Sequence, residues 1–576
     1  MVSDLQRAFA ATKRGKAESV HTRLHNLFVR RHVTHIPRTK AEKSLPLQMV
    51  DRVKQVNMEE VRRRLTPTLQ QRLDHILGLL YHPYGEKSKT DVPIVEVPRS
   101  PACSPQHAKL SSQTVVCEPV TPEMEAADPS RGFLTTFEVV EEHKQRLRLI
   151  HWTRMQNDMA YARGYACGIE DLDHISAYLD AVYAECAGTA DIHASFYHVQ
   201  LPPEARCFYR FRDAEGNLFQ LRVGAMGHCV MPEVMHTITN VLAGNPLYVT
   251  PSFAVNTPVR CWIDNIRHHG SRALVEAAQA AIRRNAMALN LEVQLDGVRT
   301  EYDFIGVHWN HTTHTVTAAQ HTLKKLPHEI GARMQAGQIE TLVSRLIFVA
   351  SIRQEPLVNH WWCLKWARRV SNGLNTGRLS ALTPCDIPDS ARRSLEAWLS
   401  DARKPHKVVV GRVGHRATLF TDATPTGWGA VLVADDNRVF AVGGQFTPDQ
   451  QIGSISTQET WAAVNGLRHL KQTLETLAIA HLDVIVDNTS VQHNIPRGNT
   501  SSPDIVEPVK QFWQQAIRKR LTLRTGYVST KHNPADDISR AAPLDIAKVE
   551  LAMRPENQHL RGGQTGRFVG QPPNRE

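Results

Sequence analysis

Residues 188–201 read GTADIHASFYHVQL. Small and apolar residues run up to Asp191 and aromatics follow at once, so a strand is expected to end in a carboxylate there. Residues 258–268, PVRCWIDNIRH, read as a short β-hairpin with Asp264 at its tip. A carboxylate on each of two neighbouring strands is the donor set of a two-Mg²⁺ phosphoryl-transfer site. Hard cations take oxygen ligands, and Mg²⁺ keeps few protein carboxylates and fills its shell with water and substrate phosphates. Taken singly, either Asp is weak evidence, because a lone strand-end Asp is more often a turn or cap residue. Three surrounding segments change that weighting: RLRLIHWTRMQN at 146–157, LRVGAMGHCVMPEVMH at 221–236 and YDFIGV at 302–307.

In this order, the five segments resemble the reverse transcriptase family. DIHASF is similar to its first catalytic motif, which implies Asp191 as a metal ligand and Phe196 as the bulky residue against the sugar 2′ position, favouring deoxynucleotides. The 221–236 segment resembles the loop and helix under the templating base, with Gly227 and Pro232 five apart. CWIDNIR resembles the YxDD hairpin, with Asp264 as the principal ligand, Asn265 in place of the second Asp, and either Cys261 or Trp262 at the Tyr position. Residues 146–157 are similar to the finger motif, with Arg148, Arg154 and Asn157 in register; Arg148 would hold the incoming triphosphate. Trp152 replaces the finger Asp, and YDFIGV resembles the primer-gripping hairpin. The lysine expected after residues 290–293 is missing, with Gln294 or Arg299 nearby. Asn keeps an oxygen ligand and loses a charge, so the palm is expected either to bind both ions more weakly or to be a decayed, non-catalytic nucleic-acid-binding remnant.

A second constellation lies downstream. LFTDAT ends a strand at Asp422, STQETWAAV places Glu459 on the first turns of a helix, VIVDN ends a strand at Asp487, and HNPADDISR starts a helix at Asp536. The intervals are 37, 28 and 49 residues. Four carboxylates on strand ends and helix starts can converge on one edge of a mixed sheet, where they repel one another unless divalent cations are bound. The set resembles the ribonuclease H fold in its retroelement form, and the Ala-Asp register of N-P-A-D-D-I-S-R selects Asp536 over Asp537.

A palm, a helical thumb and a ribonuclease H core make up the layout of a retroelement reverse transcriptase. The Asn of the YxDN hairpin, the Asp-Asn at 487–488 and the A-D-I-S-R ending resemble the tyrosine-recombinase group (DIRS/Ngaro-like and kinetoplastid VIPER). The resemblance implies Mg²⁺, two per site, with Mn²⁺ as a substitute. It also implies an RNA template, a DNA primer, deoxynucleoside triphosphates and RNA–DNA hybrids as partners.

Bulk features fit this α+β multidomain expectation. The 576 residues suffice for several domains, with 41% apolar and 22% charged residues. Residues 1–90 hold 18 Lys/Arg against 8 Asp/Glu, which leaves 50 against 49 for the rest of a chain whose net charge is +11. That pattern predicts a basic, partly helical N-terminal arm (1–90) on a near-neutral body. The body divides into a Pro-rich linker or surface strap (91–130), fingers and palm (131–320), helical thumb and connection (321–410), ribonuclease H domain (411–541) and flexible tail (542–576). Arg62, Arg63, Arg64, Lys324, Lys325, Arg368 and Arg369 are candidates for phosphate contacts. No apolar run approaches a membrane span, and the start lacks a secretory signal core. The nine Cys never fall as CxxC, which reads as free thiols in a reducing compartment. An intracellular protein of nucleus or cytoplasm is expected; the Arg/Ala-rich start also admits a mitochondrial presequence. Oligomeric state is not encoded in any pattern.

Overall fold

The computed structural model describes residues 53–561 apart from 86, 100–114, 142–145, 170–180, 214, 354, 405–407, 410–413, 499, 501 and 520. Two compact units emerge. One is built from residues up to 172 together with 184–300, the other from 173–183 together with 301 onward. Among the described residues, no helix is long and apolar enough to cross a membrane, and the described cysteines are free thiols.

The first unit opens with helices α1 (Met58–Arg64) and α2 (Pro67–Tyr81). Pro67 starts the second of these helices, where its missing N–H costs nothing. These helices are no arm, because Val61, Leu73, Ile76, Leu77 and Leu80 are buried in the unit's core. The arginines of this stretch are paired within the unit. Arg62 pairs with Asp74 at 2.6 Å, and Arg63 and Arg64 pair with Glu60. Arg64 is buried and also donates to Asn285 Oδ1, and both Arg63 and Arg64 lie over the Phe253 ring. Residues 1–52, with the rest of the expected arm, lie outside the described residues.

The Pro-rich stretch is structural as well. Strand β1 (Cys117–Pro119) pairs antiparallel with β6, and a short helix follows at Pro122–Ala127. A hairpin of β2 (Thr135–Glu141) and β3 (Arg146–Trp152) leads into α3 (Arg154–Ala162). Next come β4 (Cys186–Ile192), β5 (Arg210–Arg212), β6 (Leu218–Leu221) and α4 (Met231–Ala243). The unit closes with β7 (Val259–Trp262), β8 (Asn265–Gly270), α5 (Arg272–Leu289) and β9 (Val293–Arg299). The sheet that matters here is antiparallel, in the order β7-β8-β4-β9. Glu233, buried on α4, accepts from Arg72 of α2, Tyr165 OH and Gly168 N, and this locks the N-terminal helices to the body.

The second unit begins with β10 (Glu301–Phe304), β11 (Val307–Asn310) and β12 (Thr315–Ala318). Then come the strand β13 (Arg333–Gln335) and helices α6 (Ala336–Arg353) and α7 (Trp361–Asn375). Strand β14 (Pro384–Asp386), helix α8 (Asp389–Arg403) and β15 (Val408–Val409) complete this part, so the span 321–410 holds three long helices together with short strands. Its last part holds a mixed sheet: β16 (His415–Ala423), β17 (Gly427–Ala434), β18 (Val439–Gln445), β19 (Ile479–Val486), β20 (Thr522–Tyr527) and β21 (His559–Arg561), in the order 18-17-16-19-20-21. β16 and β20 run parallel to β19 and the other pairings are antiparallel. The helices are α9 (Ile455–His469), α10 (Thr489–Arg497), α11 (Val506–Arg518), α12 (Ala535–Ser539) and α13 (Ile546–Ala552).

Period-2 alternation splits the sheet's side chains. Leu419, Leu432 and Val484 face a core with α9 and α11, while Phe420, Val431 and Ile485 face one shared with Ala535, Val549 and Ala552. This second core corrects one expectation. A frayed tail was expected from 542, yet α13 buries Val549 and Ala552, and β21 extends the sheet. Averaging over the Gly- and Gln-rich end hid a short helix whose one apolar stripe finds a partner only in the fold; residues 562–576 lie outside the described residues.

Candidate active sites: two carboxylate clusters

In the first unit, Asp191 sits exposed near the end of β4, with Asn265 of β8 opposite it on one side and Gln294 of β9 on the other. Asp264 occupies a two-residue turn, Ile263-Asp264, closed by the pair Trp262–Asn265. The register left open by the sequence is thereby decided: Trp262 stands before the turn, and Cys261 is buried opposite Ile266. Ile263 adopts φ 54°, a left-handed conformation that a β-branched residue resists at a cost of about 1–3 kcal/mol. That strain is held in the one turn that presents the carboxylate. Asp264 Oδ2 accepts from Ser195 Oγ (3.0 Å) and Oδ1 from Asn265 Nδ2 (2.9 Å). Asn265 therefore donates to its neighbour, where an ionised second aspartate would only accept and would repel it.

The remaining motif residues partly gather. Phe196 follows Ser195 on a 3-10 turn and is half-buried against the core. Asn157 on α3 donates to the Gly227 carbonyl (3.0 Å) and accepts from Cys229 N (2.8 Å), so α3 clamps the 227–229 loop. Gly227, at φ 111°, takes a conformation that favours glycine. Arg154 is exposed at the start of α3, its guanidinium 6.0 Å from the Trp152 ring centre. Arg148 lies on β3 opposite Val139. In the second unit, YDFIGV forms the β10–β11 hairpin, turning at Ile305-Gly306.

The second cluster is tighter. Among the described residues, Asp422 at the end of β16, Glu459 on the second turn of α9 and Asp487 just past β19 form a three-carboxylate group. Each offers an oxygen, and those atoms lie within 4.8 Å of one another. Asp422 and Glu459 are buried. Burial pushes the Asp422 carboxyl up to about 6, with Asp487 and Asp536 adding to it and the Ser539 hydroxyl opposing. Glu459 is pushed up to about 9, by burial first and then by Asp487 and Asp422. Asp487 is raised too, chiefly by burial. Glu459 Oε2 is buried without a hydrogen-bond partner. An all-oxygen set with a buried, unsatisfied carboxylate oxygen and mutually raised acids fits a hard divalent cation. Asp536, the fourth expected ligand, stands outside the group of three. It sits on the first turn of α12, its Oδ1 2.9 Å from Arg540 Nε.

Several residues that build this site escaped the motif reading. Asn533 is fully buried: its amide donates to the Thr421 carbonyl (3.0 Å), beside Asp422, and its oxygen accepts from Ala535 N (3.2 Å). It thus ties α12 to the strand bearing Asp422; an Asn just before a Pro-led helix start was the available signal. Ser539 Oγ donates to Asp422 Oδ2 at 2.5 Å. The G-W-G of β17 has a steric cause. A Cβ on Gly429 would lie 2.5 Å from Ala535 O and Ser539 N, and one on Gly427 would lie 2.7 Å from Ser539 O, so α12 rests on bare backbone. Asn488 joins Asp487's neighbourhood to α9 through Ser456 (3.2 Å). Asp504 holds the start of α9 by accepting from Thr457 Oγ1 (2.7 Å) and Ser454 Oγ (3.2 Å).

No family model matches this sequence, and no curated protein does. Solved structures to which the chain is similar include the foamy viral protease-reverse transcriptase dRH in complex with double-stranded DNA (10% identity, 83% of each chain, TM-score 0.45). Two others are the foamy viral protease-reverse transcriptase with double-stranded DNA (12%, 82% of this chain and 96% of that one, TM-score 0.41) and with an RNA/DNA hybrid (11%, 84% and 64%, TM-score 0.41). What the residues can do follows from their own geometry, not from these likenesses.

Proposed function

We propose that the chain is a retroelement RNA-directed DNA polymerase that also cleaves RNA in RNA–DNA hybrids. The observation that carries the reading is the convergence of Asp422, Glu459 and Asp487 within 4.8 Å, with a buried carboxylate oxygen left unsatisfied. Two divalent cations, Mg²⁺ or Mn²⁺, would be held by Asp422, Glu459, Asp487 and Asp536 and would supply water activation and charge neutralisation at the scissile phosphate. The chain's own part is positioning. Ser539 and Asn533 fix the Asp422 strand end against α12, while Asp504 and Asn488 fix the start of α9 below Glu459. A hybrid is recognised through groove shape and 2′-OH groups.

In the first unit Asp191 and Asp264 would hold the polymerase cations, with Ser195 and Asn265 orienting Asp264. Phe196 would favour deoxynucleotides, and Arg148 and Arg154 would meet the triphosphate. Gly227, clamped by Asn157, would sit under the template base. Asn265, the 487–488 Asp-Asn and the A-D-I-S-R ending support placement with the tyrosine-recombinase retroelements.

A second reading has a favouring observation of its own. Both Asp264 oxygens already accept neutral donors, so the hairpin is satisfied without a cation, as a binding-only palm would be. Incubating the full chain with Mg²⁺, a labelled RNA–DNA hybrid and, separately, a primed RNA template with deoxynucleotides separates the two. Hybrid cleavage lost in Asp422→Asn, together with primer extension lost in Asp191→Asn, supports the full proposal. Cleavage without extension leaves the hydrolase alone. Absence of both, with hybrid binding retained, refutes catalysis.

A further inference from the structure

Helix α13 lies beyond the last recognisable motif, yet it reaches the carboxylate cluster. Lys548 on it has a side chain only 16% exposed, with Nζ 3.2 Å from Asp537 Oδ1 and 3.7 Å from Asp536 Oδ2. Arg540 takes the other Asp536 oxygen. Each oxygen of the fourth carboxylate thus faces a cation of the chain. The lysine is fixed from beneath: Val549 and Ala552 are buried among Phe420, Val431 and Ile485, and Asp545 caps the helix through Ala547 N (2.9 Å) and Lys548 N (3.3 Å). Its place is set by packing, not by the ion pair. Arg540 differs, being 64% exposed, where solvent screens its pull on Asp536.

We propose that Lys548 is a positioning residue that holds Asp536 back from the triad and so makes the cluster take its two divalent cations in order. This rests on the cluster being a cation site, as proposed above. The first ion binds Asp422, Glu459 and Asp487, whose oxygens already converge. The second needs Asp536, and must displace the Lys548 ammonium from it while entering beside that same positive charge. Removing Lys548 takes away both the competitor and the like charge, so only the second affinity changes.

The test is a Mn²⁺ titration, without nucleic acid and with free Mn²⁺ read by electron paramagnetic resonance, of the full chain carrying Asp191→Asn and Asp264→Asn so that the first unit's carboxylates do not contribute; that background serves as the wild-type reference. The wild type binds one ion tightly and a second weakly. Lys548→Met tightens the second roughly fivefold or more and leaves the first unchanged, as loss of one nearby like charge requires. Lys548→Arg restores the wild-type pattern, which a merely structural role would not demand. Lys548→Gln gives the same tightening if Met disturbs the helix. A second affinity equal in wild type, Met and Gln variants overturns the role of Lys548. A wild-type chain that binds no Mn²⁺ overturns the cation-site reading, and the lysine's role with it.

Discussion

Replacing Glu459 by Gln should stabilise the cation-free protein at alkaline pH while abolishing hybrid cleavage. Glu459 ionises near 4.5 when unfolded and at about 9 in the fold, where burial and the neighbouring Asp487 and Asp422 disfavour its charge. The folded state therefore keeps a proton that the unfolded chain has lost. Its stabilising effect is full below pH 4.5 and is lost as pH rises toward 9. One retained proton makes stability fall by about 1.4 kcal/mol per pH unit inside that window, or roughly 4 kcal/mol from pH 5 to 8. The Glu459→Gln side chain carries no charge and has no such slope. The assay is urea unfolding of the full chain at pH 5, 6, 7 and 8, in chelator and again in excess Mg²⁺. In chelator the wild-type midpoint falls with pH and the variant's falls less, so the variant is the more stable at pH 8. In Mg²⁺ the wild type recovers, because the cation takes the proton's place, and the variant gains less. Parallel wild-type and variant curves in chelator, or a variant less stable at pH 8, would refute the account of a mutually repelling, cation-requiring cluster.

Other expectations concern single contacts. Asn265→Asp removes the amide donor to Asp264 and sets two carboxylates side by side; with Mn²⁺ or Mg²⁺ present, primer extension should rise above wild type, and unchanged extension would mean that Asn265 is not what limits the proposed polymerase reaction. Gly429→Ala forces a methyl to within 2.5 Å of two backbone atoms of α12; a loss of about 2–3 kcal/mol in urea unfolding, with hybrid cleavage falling in step, is expected. Asn533→Ala removes the buried amide that ties α12 to the Thr421 carbonyl and should cost about 1–3 kcal/mol in the same assay. Glu233→Gln leaves Arg72 without its charged partner and should loosen the N-terminal helices first, seen as faster amide exchange across Pro67–Tyr81.

The sequence by itself determined what depends on neighbours in the chain. Strand patterns marked Asp191 and Asp422 near the ends of β4 and β16, hairpin chemistry marked the turn at Asp264, and spacing marked six carboxylates. Those readings succeed because backbone periodicity and cap chemistry are local. The tertiary structure alone decided which charges meet. Asp422, Glu459 and Asp487 come together across 37 and 28 residues of intervening chain, whereas Asp536 is drawn toward Arg540 and Lys548 instead. Arg64 looked like part of a basic arm until Asn285, far along the chain, was seen beside it. Lys548 looked like part of a tail until Val549 and Ala552 found a core to enter. Charge counts in a sequence record how many ions a chain carries. Whether each one is paired, buried or offered to a substrate is set by packing between segments that no local pattern brings together.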